Sequence, residues 1–259
     1  MSHPDADNFP HATGNAARTV AAHEADQSDV VLYGSWFCPF VQRTWVTLEE
    51  KGVPYRYVEI NPYLKQPEFL ALNPKGLVPT AGVFGKPIYE SLILNELFEE
   101  LYNEPNTPRL LPADPVEKAR ARIWIDYIAK TIVPGFMKVV MAQSQDDQKA
   151  RLQEFYDSLR KLCDERDAEG PFFLGANFGL VDAAIAPWVV RDHILAEHRA
   201  YDRSGAGQTW VQFAAALESR PSVIKTTSDR ERYAPIYGRY LRNESQSEFA
   251  NALRQGKPF

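Results

Sequence analysis

An apolar run, Val30-Val31-Leu32-Tyr33, is joined to a helix-like run, Val41 to Lys51 closed by Gly52, through the short stretch Ser35-Trp36-Phe37-Cys38-Pro39-Phe40. A strand that turns this directly into a helix puts Cys38 at the corner. Pro39 suits the first helical position, where its fixed φ helps and its missing N–H costs nothing. Cys38 is therefore expected beside the unpaired amides of a helix N-terminus, where amides and dipole favour a thiolate over a thiol. A second cysteine three positions on would supply a local resolving partner, but that position is Val41. Any mixed disulfide at Cys38 then needs an external thiol to resolve it. The plain alternative is packing, since free cysteine is among the most buried residue types.

The neighbouring segments set this corner in a larger order. Val53 to Ile60 reads as a second strand, separated from the first by enough chain for a helical crossover, so the two strands pair in parallel. A proline-punctuated connection (61–66), a short helical turn (67–72) and a break at Asn73-Pro74-Lys75-Gly76 follow. Residues 77–84 and 87–90 form a hairpin around Gly85-Lys86, and Ser91 reads as the N-cap of a helix over 92–102. The sequence βαβ, then ββα, is the thioredoxin-like arrangement. In redoxin-like folds the residue before a proline at the place of Pro79 offers its backbone to an incoming peptide, and the X-Pro bond is cis. The bland reading of Val78-Pro79 is a sheet edge.

With 259 residues the chain has room for two modest domains. Residues 1–28 lack an amphipathic period and read as a flexible N-terminal arm; residues 29–104 make the thioredoxin-like domain. Residues 105–115 form a proline-rich linker. An all-helical domain spans 116–242, with helices near 116–142, 147–167, 180–198 and 208–218, and residues 243–259 form a C-terminal extension. Pro134 and Pro187 are expected to kink their helices. The fold class is thus an α/β thioredoxin-like domain followed by an all-α domain. Cys163 falls beside the apolar face of its helix and reads as packing.

Net charge is −5 and the basic residues are dispersed, which argues against nucleic acid or an anionic membrane as partner. Two cysteines, no bilayer-length apolar run and no leader argue for a cytoplasmic protein. His3, His11 and His23 lack ligand spacing, so they read as solvated and no metal is expected.

Cys38-Pro39-Phe40 with Arg43, Asn73-Pro74, Gly76-Leu77-Val78-Pro79 and Ile88-Tyr89-Glu90-Ser91 resemble the cytosolic glutathione transferases of the omega class. Gly179-Leu180-Val181-Asp182, Pro187-Trp188, Arg191, Tyr233 and Tyr240 are similar to the same class in its helical half. The resemblance covers roughly residues 29–243. It implies glutathione as co-substrate and a glutathione site of Phe40, Lys65, Gln66, Leu77, Val78, Glu90 and Ser91. It also implies a pocket for a hydrophobic or aromatic second substrate at Trp188, Arg191, Tyr233 and Tyr240, and a homodimer.

The chemistry of the residues agrees. Glutathione presents two carboxylates, an amine and a peptide-like cysteinyl unit. Val78 can pair with its backbone, Ser91 at a helix N-terminus can hold a carboxylate, and Glu90 can face the amine. The chain departs from the family at two places. Gln66 stands where a lysine often precedes the proline of the connecting helix, with Lys65 one residue earlier. Gly179 stands where a Ser or Thr usually completes a capping box, a loss of only a few tenths of a kcal/mol. The activity implied is a thioltransferase or glutathione-dependent reductase working through a mixed disulfide at Cys38. The alternative is a non-catalytic carrier of planar aromatic metabolites.

Overall fold

The structure, a computed structural model, describes His3, Pro4, Ala6 and residues 10–257. The chain divides into two compact units, 1–109 together with 221–232, and 110–220 together with 233–259.

The first unit contains helix α1 (Gly14–His23), strand β1 (Val30–Gly34), α2 (Pro39–Lys51), β2 (Arg56–Glu59), α3 (Pro67–Leu72), β3 (Thr80–Val83), β4 (Lys86–Tyr89) and α4 (Ser91–Leu101). Its four described strands form one sheet in the order β2-β1-β3-β4. β1 pairs in parallel with β2 and antiparallel with β3, which pairs antiparallel with β4. This is the thioredoxin-like arrangement the sequence predicts. Leu32, Trp45, Leu48, Tyr55, Ala81, Leu94 and Phe98 form a core without solvent exposure. Gly52 caps α2 with φ 62°, the left-handed conformation that favours glycine. The hairpin turn falls on Phe84 and Gly85, φ 49° and 78°, one residue earlier than expected. Two positive φ values give the mirror-image turn whose twist matches the flanking strands.

The expected flexible arm is corrected for its described part, since Gly14–His23 is helical; residues 1, 2, 5 and 7–9 lie outside the described residues. Two of the bonds that hold α1 reach more than 200 residues along the sequence. Thr19 Oγ1 donates to the Lys225 carbonyl at 2.8 Å, and the Ala16 amide donates to the Thr227 carbonyl at 3.1 Å. His23 is not a solvated residue: its ring stacks on Tyr55 at 3.9 Å between centroids, with Nε2 3.3 Å from Glu49. Residues 221–232, which include helix α10 (Pro221–Lys225), are held from the α2 side as well. Gln42 Nε2 donates to the Thr226 carbonyl at 3.2 Å and to Thr227 Oγ1 at 3.0 Å.

The second unit begins with α5 (Pro115–Tyr127), whose N-cap Asp114 accepts from the amides of Val116 and Glu117 at 2.9 Å each. A π turn (Ile128–Ile132) then leads into α6 (Val133–Met141). The wide turn directly precedes Pro134, whose ring and missing N–H disrupt a regular ladder. Helices α7 (Gln145–Asp164), α8 (Leu180–His198) and α9 (Gln208–Ser219) lie close to their expected bounds. α11 (Tyr233–Leu241) and α12 (Glu248–Arg254) complete the unit; α12 falls within the expected extension, so most of that segment is part of the helical unit. Residues 258 and 259 lie outside the described residues.

Asp182 orders the start of α8. Wholly buried, it accepts the Phe173 amide at 2.9 Å and the Gly179 amide at 2.8 Å. A Cβ at Gly179 would lie 2.9 Å from the Leu110 carbonyl, so the close chain crossing, which includes a 2.8 Å bond from the Leu180 amide to that carbonyl, is why glycine stands here. Asp182→Ala leaves two amides without their acceptor and should lower stability by about 3 kcal/mol, read from urea denaturation at pH 7. A loss below ~1 kcal/mol would mean that the two bonds contribute little.

Candidate glutathione site

β1 ends at Gly34, and space there is limited: a Cβ would lie 2.7 Å from Val41 Cγ1 and 3.2 Å from the Tyr57 hydroxyl. The chain then turns through Ser35, Trp36 and Phe37, all buried, and enters α2 with Cys38 as N-cap and Pro39 at the first helical position, as the sequence predicts. Three contacts hold the turn. Ser35 Oγ donates to the Ile60 carbonyl, the Trp36 amide donates to Glu59 Oε1 at 3.0 Å, and the Cys38 amide donates to the Ser35 carbonyl at 2.9 Å.

Cys38 is partly exposed, and its Sγ lies 3.9 Å from the Val78 carbonyl. The Val78-Pro79 bond is cis. Phe40 sits in the first turn of α2, with the Arg43 guanidinium 5.5 Å above its ring. Arg43 is buried; desolvation pushes its guanidinium down to about 9, and a charge on Cys38 opposes that shift. By reciprocity, the charged guanidinium favours the Cys38 thiolate.

The other sequence-predicted residues fall along the same edge. Leu77 and Val78 are partly buried. Lys65, at φ 49°, turns its ammonium to the carbonyls of Lys75 and Gly76 at 3.0 and 3.1 Å, next to Leu77. Gln66 is exposed and is the N-cap residue of α3. Glu90 takes the N-cap position of α4 at φ 77°, and Ser91, expected to be the cap, is the first helical residue. The Ser91 carbonyl accepts from Thr44 Oγ1 at 3.3 Å, which ties the N-terminal turns of α4 and α2 together. The Glu90 carboxylate already holds an ammonium, that of Lys75, at 2.7 Å.

Three of the four expected second-substrate residues are buried. Arg191 and Tyr233 are wholly buried, the guanidinium 4.7 Å over the Tyr233 ring and donating to the Pro187 carbonyl at 2.7 Å. Trp188 is 2 % exposed and lines a small cavity with Ile132, Phe155 and Trp210. These three are core residues of the helical unit because α8 is buried along nearly its whole length, and they offer almost no surface to a ligand. Tyr240 is partly buried and donates to Ser247 Oγ at 2.8 Å.

Two residues at the site escaped the sequence reading. Lys75 gave no signal beyond a break motif, and Glu59 read as the end of a strand. Burial, opposed by bonds from the Trp36 amide and the Tyr57 hydroxyl, raises the Glu59 carboxyl to about 7. Among the described residues no group of three or more His, Cys, Asp or Glu could hold a metal ion.

Cys163 differs from Cys38 in every relevant respect: it is buried within α7, and desolvation pushes its thiol up to about 11. Alkylation by iodoacetamide at pH 8, mapped by mass spectrometry, should therefore modify Cys38 and leave Cys163 intact. Preferential labelling of Cys163 in the folded protein would contradict this assignment.

The family pattern described as "Glutathione S-transferase, N-terminal domain" matches residues 32–106. Glutathione transferase Omega 3C from Trametes versicolor has a crystal structure 56 % identical in sequence, with a TM-score of 0.85, covering 92 % of this chain and 100 % of that one. A rice enzyme solved in complex with glutathione, OsGSTU1, is 26 % identical with a TM-score of 0.74, over 82 % of this chain and 98 % of that chain. Among curated relatives, the probable glutathione S-transferase parC of Nicotiana tabacum is 30 % identical over 203 residues, 78 % of this chain and 90 % of the relative. No described helix is long and apolar enough to cross a membrane. With a thioredoxin-like unit ahead of a helical one and relatives matched across both, the chain belongs to the glutathione S-transferase family, as a member of its omega class.

Proposed function

We propose that this glutathione transferase acts as a thioltransferase or glutathione-dependent reductase through a mixed disulfide at Cys38. The observation that carries this reading is a partly exposed cysteine at the N-terminus of α2, with the buried Arg43 charge favouring its thiolate. The Cys38 thiolate attacks the glutathionyl sulfur of a substrate disulfide and forms a Cys38–glutathione bond, and the substrate thiolate leaves. A second glutathione thiolate attacks that bond, giving oxidised glutathione and regenerating Cys38. No cysteine lies within the first turns of α2 to resolve the intermediate internally. A glutathionyl ketone would reach the same mixed disulfide when Cys38 attacks its sulfur and the ketone leaves as an enolate that takes up a proton. Dehydroascorbate would reach it when Cys38 adds to a carbonyl carbon and a glutathione thiolate then attacks the Cys38 sulfur, releasing ascorbate.

In this reading Val78 pairs with the cysteinyl backbone of glutathione and Ser91 holds a carboxylate at the head of α4. Glu90 receives the γ-glutamyl amine, displacing Lys75; the existing ammonium contact supports a cation at that position. Lys65 rather than Gln66 serves the glycyl carboxylate, because its ammonium lies beside Gly76 and Leu77 whereas Gln66 opens α3. The carrier alternative has weaker support, since Trp188, Arg191 and Tyr233 are buried.

Two variants test the proposal. Cys38→Ser cannot form the mixed disulfide and should abolish thioltransferase turnover, while conjugation of glutathione to a chloronitroaromatic persists or rises. Wild-type thioltransferase turnover in that variant would refute the nucleophile assignment. Glu90→Ala should weaken glutathione binding by roughly 1.5–3 kcal/mol, the value of a charge-assisted hydrogen bond, in isothermal titration. Unchanged affinity would move the amine elsewhere.

A further inference from the structure

Glu59 lies at the C-terminal end of β2, opposite Gly34 of β1, and its carboxylate reaches forward under the turn that carries Cys38. Oε1 accepts the Trp36 amide at 3.0 Å and Oε2 accepts the Tyr57 hydroxyl at 3.2 Å. Among the described residues no cation pairs with it. Trp36 is 1 % exposed and packs edge-on against Phe37 at 5.7 Å, so the amide that Glu59 holds belongs to a tightly packed residue. We propose that Glu59 is a positioning residue for Cys38: its carboxylate, by holding the Trp36 amide, sets the turn from which α2 and its N-terminal thiolate project. The inference rests on Cys38 being the reacting sulfur.

The energetics argue for a role in function. A half-buried carboxylate with no cation is costly when ionised. Its folded-state value is raised from 4.5 to about 7, so the stability it contributes is fully present below about 4.5 and is lost as pH rises through 7. At neutral pH a glutamine of the same shape would hold the fold at lower cost. The charged form has one advantage over it, a stronger N–H···O⁻ bond to Trp36.

One titratable group, Tyr57 of β2, bonds to the carboxylate directly, and Cys38 and Tyr55 couple electrically to Tyr57. On β1 the residue in register with it is Gly34, which carries no titratable group. Beyond Phe37, Tyr63 stacks at 6.3 Å and His3 stacks on Tyr63 at 4.8 Å. Tyr57, buried and shifted far upward, stays protonated throughout the neutral range, so it donates in both states of Glu59.

The test is the rate of Cys38 alkylation by iodoacetamide across the neutral range, with thermal stability measured in parallel on the intact protein. Wild type should show an inflection near pH 7 besides that of the thiol, with the rate rising as Glu59 ionises. Glu59→Gln should lose that inflection, react about fivefold more slowly on its alkaline side, and melt at a higher temperature there than wild type. Tyr57→Phe, which removes a donor to the carboxylate, should move the inflection to higher pH; this variant decides the matter if Glu59→Gln does not fold. Superimposable pH profiles for wild type and Glu59→Gln would overturn the proposal, as would an unmoved inflection in Tyr57→Phe. Failure of the thioltransferase reading would appear separately, as turnover retained by Cys38→Ser with these alkylation profiles unchanged.

Discussion

The structure of the first unit depends on a steric constraint at Gly34, where β1 must give way to α2 against a sheet edge already crowded by Val41 and the Tyr57 hydroxyl. A side chain there would force Val41 or Tyr57 to shift, next to the turn of Ser35, Trp36 and Phe37 that bonds to Ile60 and Glu59. That close approach puts the N-terminus of α2, and with it Cys38, within 3.9 Å of the Val78 carbonyl. The Thr44–Ser91 bond then brings the head of α4 to the same place. The candidate site is therefore a set of backbone ends, two helix N-termini and the Val78 carbonyl ahead of β3, and few of its features need long side chains.

Buried charge is used in two ways in this chain. Asp182 has both oxygens occupied by backbone amides, and Lys51 holds Glu99 at 2.7 Å and the Pro108 carbonyl at 2.9 Å. Such satisfied groups are inexpensive to keep and very costly to break. Arg43 and Glu59, which flank the Cys38 turn, are shifted toward neutrality by desolvation instead. Shifted groups of this kind concentrate where a site needs a particular field or a particular backbone placement.

Order along the chain does not decide membership of a unit. Residues 221–232 follow the helical segment in sequence yet belong to the first unit, held there by Gln42 from one side and by α1 from the other. His23, stacked on Tyr55 beside Glu49, closes the far end of the same clasp. Each of these bonds joins residues far apart in sequence, and a loop that long closes only when many contacts form together.

The sequence by itself determined what local chemistry dictates. Proline after Cys38 and glycine after Lys51 bounded α2, β-branched and aromatic runs marked the strands, and their order implied a parallel pair followed by a hairpin. The motif Cys38-Pro39-Phe40 with Val78-Pro79 and Glu90-Ser91 marked a candidate site because its parts are backbone ends that short motifs encode. Tertiary structure alone decided what depends on partners distant in sequence. α1 has a weak local pattern and acquires its role from Thr226 to Asp229 and their neighbours. Trp188, Arg191 and Tyr233, plausible pocket residues in the sequence, became core because α8 is surrounded on nearly all sides. Glu59, read only as part of the second strand, became a half-buried acid that accepts the Trp36 amide. Burial is a property of what packs around a residue, and no local spacing records it.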